Sequence, residues 1–250
     1  MDPFNLSAVA IAVISIGMAI GGLVKGALGA GLPSVAMPIL VLQIEPLQAV
    51  ILFFVPVIIS NIIQIFQGGY YREAISKFWQ FLLIFVVGVW FGAQILITAS
   101  PDNMALVLGL VVFGSTTAQI WASKLSFFPR HGWIIQTLAG GALGLCGGAT
   151  GVFAPTIVYF AGLRLPKDLF ITLLAITAMT GSLALYSRLQ LNGWLTGAQL
   201  AASAFTLVPV SVGLFIGFWL RERMSESVFQ QAIWSGLLIL GIGLIIKGSV

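Results

Sequence analysis

The sequence predicts an all-α polytopic membrane protein. It is read as two inverted repeats of about five helical segments each, with Gly-rich broken or re-entrant hairpins. Three observations carry that reading. Of 250 residues, 59% are apolar and 7% charged, whereas a soluble domain carries about 25% charged residues. Apolar runs near the ~20 residues needed to cross a bilayer alternate with short polar loops. A Gly-rich break also occurs twice inside apolar sequence, first over Gly21–Pro33 and again over Gly140–Gly151. Backbone broken in this way is tolerated at membrane depth only where it is wrapped in protein or lines a cavity. Paired interruptions in two halves point to a transporter's binding site.

Taken in order, the segments are 8–29, 32–43, 47–68, 78–99, 103–121, 133–147, 150–161, 168–187, 194–218 and 228–247. The first has no basic stretch before it and is long enough to stay as a span, so no removable signal peptide is expected. Segments 32–43 and 150–161 are too short to cross. Each follows a break, so each is read as a half-helix. Pro33 suits the first turn of its half-helix. Segment 47–68 is read as one span, with Ser60, Asn61 and Gln64 on one face. Thr177, Thr180 and Ser182 hold the corresponding stretch of 168–187. Gly17-x₃-Gly21, Gly22-x₃-Gly26, Gly88-x₃-Gly92 and Gly213-x₃-Gly217 are small-residue seams for close helix approach. Trp79, Trp121, Trp133, Trp194 and Trp219 lie near segment ends, as interfacial belt residues do.

The halves are read as 1–124 and 125–250. Gly22, Gly26 and Gly29 lie 118 positions before Gly140, Gly144 and Gly147, and Gly92 lies 121 before Gly213. Pro38 lies 117 before Pro155, and Pro46 lies 120 before Pro166. Arg72 and Lys77, Lys124 and Arg130, Arg164 and Lys167, and Arg221 and Arg223 fall in four loops. If each hairpin returns to its starting side, all four loops share the cytoplasmic side. Both termini are then periplasmic, as are the loops of Glu45 and Asp102, and Arg188 is the one exception. The net charge of +4 is thus a topology signal and does not point to nucleic acid. A single cysteine, Cys146, and a single histidine, His131, leave no disulfide framework and no His/Cys metal cluster, and no cofactor is expected.

Lys25 is the residue that invites a function. A charge this deep in an apolar segment costs at least ~2.5–3.5 kcal/mol and marks a functional site by default. The structural alternative is that it snorkels or binds carbonyls freed by the glycines. No Asp or Glu lies inside a long apolar segment beyond Asp168 at the very start of one, so an anionic ligand is the natural partner. The half-helices start just after Gly31 and after Gly148-Ala149-Thr150, and their N-terminal N–H groups form an anion site. Substrate binding is therefore assigned to Lys25, Gly29, Gly31, Gly147, Gly148 and Thr150, completed by Ser60, Asn61, Gln64, Thr180 and Ser182. Interhelical hydrogen bonding is the alternative role for these hydroxyls and amides.

At these residues the chain resembles the TauE/SafE sulfite-exporter-like permeases. Lys25-Gly26…Gly29-x-Gly31…Pro38 is similar to the first family signature, and Gly144-x-x-Gly147-Gly148-x-x-Gly151…Pro155 to its second copy. Ala30 between Gly29 and Gly31, and Ala149-Thr150 before Gly151, depart from a full glycine run. The resemblance implies transport of small sulfur-containing anions, such as sulfite or sulfonates, across a bacterial inner membrane. A monoanion leaving a negative cytoplasm gains about 2.3 kcal/mol per 100 mV, so export without a coupled ion is expected, by alternating access with one repeat rocking against the other. Uptake would need H+ or Na+, carried by Lys25, Glu45 or hairpin carbonyls. A channel-like anion pore and a permease for small carboxylates are the alternatives.

Overall fold

The structure is a computed structural model that describes residues 7–122, 132–221, 223 and 226–249. The expected loop holding Lys124, Arg130 and His131 lies outside the described residues. Eleven helices are described: α1 (Ala8–Leu28), α2 (Leu32–Val41), α3 (Pro46–Leu52), α4 (Phe54–Gly68), α5 (Tyr71–Thr98), α6 (Pro101–Ala122), α7 (Trp133–Thr150), α8 (Ala154–Gly162), α9 (Lys167–Leu191), α10 (Gly197–Arg221) and α11 (Glu226–Ser249). Among the described residues, α1, α5, α6, α9, α10 and α11 are long and apolar enough to cross a membrane, and α3 with α4 makes a seventh bent span. The five tryptophans near segment ends are all exposed.

Segment 47–68 does not run as one helix. It breaks at Phe53, and its two parts meet at 46°. The cause is Pro56, which has no N–H to give the carbonyl four residues back. That carbonyl, Leu52 O, instead accepts from Ser203 Oγ at 3.0 Å and Thr206 Oγ1 at 2.8 Å, both on α10. Ser203 Oγ in turn accepts from Val55 N at 2.9 Å. Two hydroxyls on a neighbouring helix thus satisfy the groups the proline frees.

The glycines divide into turners and packers. Gly29 (φ 81°), Gly31 (φ 103°) and Gly151 (φ 69°) take the left-handed conformation that ends α1, starts α2 and ends α7. The rest of both Gly-rich stretches is helical, so α7 continues through Thr150, past the expected break. Those helical glycines lie against backbone. A Cβ on Gly22 or Gly26 would overlap the carbonyls of Val210 or Leu214 on α10; one on Gly213 or Gly217 would overlap those of Ala19 or Leu23 on α1. In the same way Gly144 and Gly148 meet Phe85 O and Val89 O on α5, and Gly92 meets Leu145 O on α7. Both pairs, α1 with α10 and α5 with α7, run parallel.

These seams repeat one another with the halves exchanged. Gly22 and Gly26 match Gly144 and Gly148, 122 positions on, while Gly92 matches Gly217, 125 on. Each spacing is four residues longer than the one read from the sequence. The reason is that a G-x₃-G pattern slipped by one turn still matches itself. In the seam register Pro33 pairs with Pro155, not Pro38, and both occupy the second position of a half-helix.

The half-helices point opposite ways. Gly21 packs on Leu32 and Ala36, and Gly17 on Ile39 and Leu40, so α2 folds back along α1. Its end, Val41, shares a cavity with Glu45, Asp102 and Lys247. The end of α8, at Val158 and Ala161, borders a different cavity with Gln119 and Gln230. Because α6 and α11 each reach from one of these cavities to the other in opposite senses, the two cavities mark opposite ends of the molecule. Arg188, the exception among the basic residues, sits within α9. Its guanidinium donates to Gln94 Oε1 at 2.6 Å and stacks on Trp90 at 5.2 Å. Aromatic packing of Phe78, Phe81, Tyr159 and Phe160 joins α5 to α8.

Candidate functional site

Lys25 lies on the last turn of α1, and it is only 8% exposed. It is buried because the glycines flanking it let α2 and α10 close onto α1 without side chains between them. No protein partner was evident from the sequence, yet Lys25 Nζ donates to Asn61 Oδ1 on α4 at 2.6 Å. One turn along, Gln64 Nε2 donates to Gly29 O at the end of α1. Among the described residues no carboxylate lies against this lysine, and the ion pair is Lys77 with Glu73, on the exposed face of α5.

A cavity of about 50 Å³ opens beside the lysine. The ends of α1 and α2 border it with Gly29, Gly31, Pro33 and Ser34, and α4 with Asn61 and Gln64. The first turn of α8 adds Phe153 and Thr156 from the other half, and α9 adds Leu174 and Ala178. Both half-helices therefore present their N-terminal turns to one small space. The first four N–H groups of a helix have no intrahelical acceptor, and the macrodipole adds about half a positive charge there. At the far end of α2, Lys247 Nζ donates to Val41 O at 2.7 Å and compensates the negative pole. The cavity lies next to a larger chamber of about 350 Å³, with which it shares the wall residues Ala30, Gly31, Ser34, Ile157 and Leu174. That chamber extends to Ala161 on α8 and Phe170 on α9, toward the end that bears Arg164 and Lys167.

Of the residues assigned from sequence, Lys25, Gly29, Gly31, Asn61 and Gln64 meet at the cavity. The others stand elsewhere. Ser60 Oγ donates to Val57 O at 3.3 Å, and Thr180 Oγ1 to Ile176 O at 2.9 Å, each within its own helix. Ser182 is buried on α9 away from the cavity wall. Thr150 Oγ1 donates to Cys146 O at 2.8 Å and accepts from Val152 N at 3.3 Å, tying the turn after α7. Gly148 packs on Val89, and the Phe153 ring covers Gly147. In the seam register Gly147 corresponds to Lys25, so the ring fills on one side the space that the lysine fills on the other. Ser34 and Thr156 were missed. They are the third residues of the two half-helices, in matching Leu-Pro-Ser and Ala-Pro-Thr starts. The repeated x-Pro-Ser/Thr was the signal, and the one-turn slip in register hid it.

Fold and site together define a multi-pass α-helical membrane protein with one buried lysine facing two half-helix N-termini. The chain belongs to the sulfite exporter TauE/SafE family, whose model matches residues 13–244. That is a family of transporters for sulfur-containing anions. No curated protein and no solved structure matches the chain.

Proposed function

We propose that this protein is a permease that carries a small sulfur oxyanion, sulfite or a sulfonate, out across a bacterial inner membrane. The observation that carries the reading is the buried Lys25 at a cavity lined by both half-helix N-terminal turns. A single oxyanion there meets the Lys25 ammonium, two dipole ends and the Ser34 hydroxyl. Burial strengthens each of these interactions. The cavity lies beside the chamber on the basic-loop side, which the positive-inside rule makes cytoplasmic. Loading from that side suits export, and both termini are then periplasmic.

The halves 1–124 and 125–250 are read as an inverted duplication. Exchanged seams, oppositely directed half-helices and antiparallel α6 and α11 all support that reading. The seams also bear on how access alternates. Because α1 is locked to α10 and α5 to α7 through backbone contact, the repeats interlock and cannot rock as two separate bodies. We therefore assign the movement to the α1–α10 pair turning against the α5–α7 pair, with the cavity between them.

The test is counterflow of sulfite and methanesulfonate in proteoliposomes. Wild type is expected to show saturable counterflow. Lys25→Ala is expected to weaken binding by a factor on the order of 100, because truncating one partner of a buried charge pair costs about 2–5 kcal/mol. Undiminished counterflow in Lys25→Ala would remove the lysine from the site. No flux of any sulfur anion by wild type would overturn the substrate class, and small carboxylates would be tried next.

A further inference from the structure

Two bonds tie α4 to the last turn of α1. Lys25 Nζ reaches Asn61 Oδ1 at 2.6 Å, and Gln64 Nε2 reaches Gly29 O. Lys25 and Gly29 are themselves one turn apart, joined by the Gly29 N to Lys25 O bond at 2.8 Å. Asn61 is 2% exposed, so its amide is committed to this place. An amide oxygen carries only partial negative charge. It therefore satisfies a buried ammonium less well than an anion does, since a full opposite charge attracts the ammonium more strongly than a partial one at the same distance. The cavity of about 50 Å³ has room for one small oxyanion beside the ammonium.

The geometry points to Asn61 as the internal stand-in for the substrate: it holds Lys25 in the empty site, and the incoming anion displaces it. This inference rests on the proposed anion site. It changes Asn61 from a group that orients substrate oxygens to one that competes with them. It also makes occupancy legible to the fold, because displacement removes one of the two ties between α4 and α1 and leaves the Gln64 tie alone. Among the described residues the second half has no such device. Gly147 and the Phe153 ring stand where a second lysine would be. The response to the anion is therefore one-sided and starts at α4.

The experiment measures sulfite and methanesulfonate binding to the full-length protein in detergent, with counterflow in proteoliposomes. Asn61→Leu removes the competitor, so both anions are expected to bind about tenfold more tightly, with slower counterflow because release from Lys25 is slower. Asn61→Asp places a fixed carboxylate on the ammonium. It is expected to weaken anion binding at least 100-fold, raise the thermal midpoint of the anion-free protein and abolish the further rise that anion gives wild type. Weaker binding in Asn61→Leu would mean that Asn61 contacts the anion directly, and would overturn the inference while leaving the anion site standing. Anion-dependent stabilisation retained in Asn61→Asp would overturn it equally, even if Asn61→Leu does not fold. Failure of wild type to bind any sulfur anion would overturn the parent reading, and this one with it.

Discussion

Lys25 owes its place to what its neighbours lack. Gly22 and Gly26 carry no side chain, so α10 closes against α1 and shuts the lysine away from lipid. The lysine was conspicuous in the sequence because a charge inside an apolar run needs an explanation. Its partner Asn61 was legible only as one polar residue on a helix face, since nothing in a sequence gives the distance between residues 25 and 61. Ser34 and Thr156 are the hydroxyl residues that the half-helices place at the cavity. Ser34→Ala removes a donor worth about 0.5–1.5 kcal/mol and is expected to raise the half-saturation concentration for sulfite several-fold in counterflow. The Thr156 proton is committed to Phe153 O, so Thr156→Val is expected to change that concentration less. Thr156→Val also loses the 2.6 Å bond to Phe153 O, so its thermal midpoint is expected to fall, while that of Ser34→Ala changes less.

Among elements, two devices govern the packing. The α3–α4 bend depends on α10 hydroxyls that answer Pro56. Thr206→Ala and Ser203→Ala leave Leu52 O or Val55 N short of a partner, at about 1–3 kcal/mol each. Because both serve one carbonyl, the double variant is expected to depart from additivity in thermal unfolding. The seams make a sharper contrast. Gly213→Ala would drive a methyl into Ala19 O, and overpacking of this kind costs about 1–3 kcal/mol. Gly243→Ala, on α11 with nothing near its Cβ position, is expected to leave the thermal midpoint unchanged or raised. Equal effects of the two substitutions would refute the seam. The G-x₃-G spacing was visible in the sequence as a capacity for close approach. Its partners were not, since each seam joins helices about 190 or 55 residues apart.

For the whole molecule, orientation is the testable property. Reporter fusions after residue 250 are expected to give active alkaline phosphatase, which works only outside the cytoplasm. Insertions between Arg164 and Lys167 are expected to give none. The reverse pattern would put the large chamber on the periplasmic side and make it an entry for uptake. The same chamber fixes the loading side in the export reading, so this measurement bears on direction as well as topology.

Composition and the lengths of apolar runs were enough to determine a helical membrane protein, the two short half-helices and the lysine that breaks the pattern. These follow from the bilayer as solvent, which acts on each segment by itself. Tertiary structure alone decided which glycines turn and which pack, where the long third segment bends, and which carbonyl each seam glycine faces. A glycine reads the same whether its backbone needs a positive φ, as at Gly29 and Gly151, or its neighbour needs the room, as at Gly22 and Gly144. A four-residue repeat matches itself one turn out of step, so only the carbonyl each glycine faces settles the register. The cavity follows from that register. It exists because two half-helix N-termini and one lysine, far apart along the chain, are brought together by contacts that no single segment encodes.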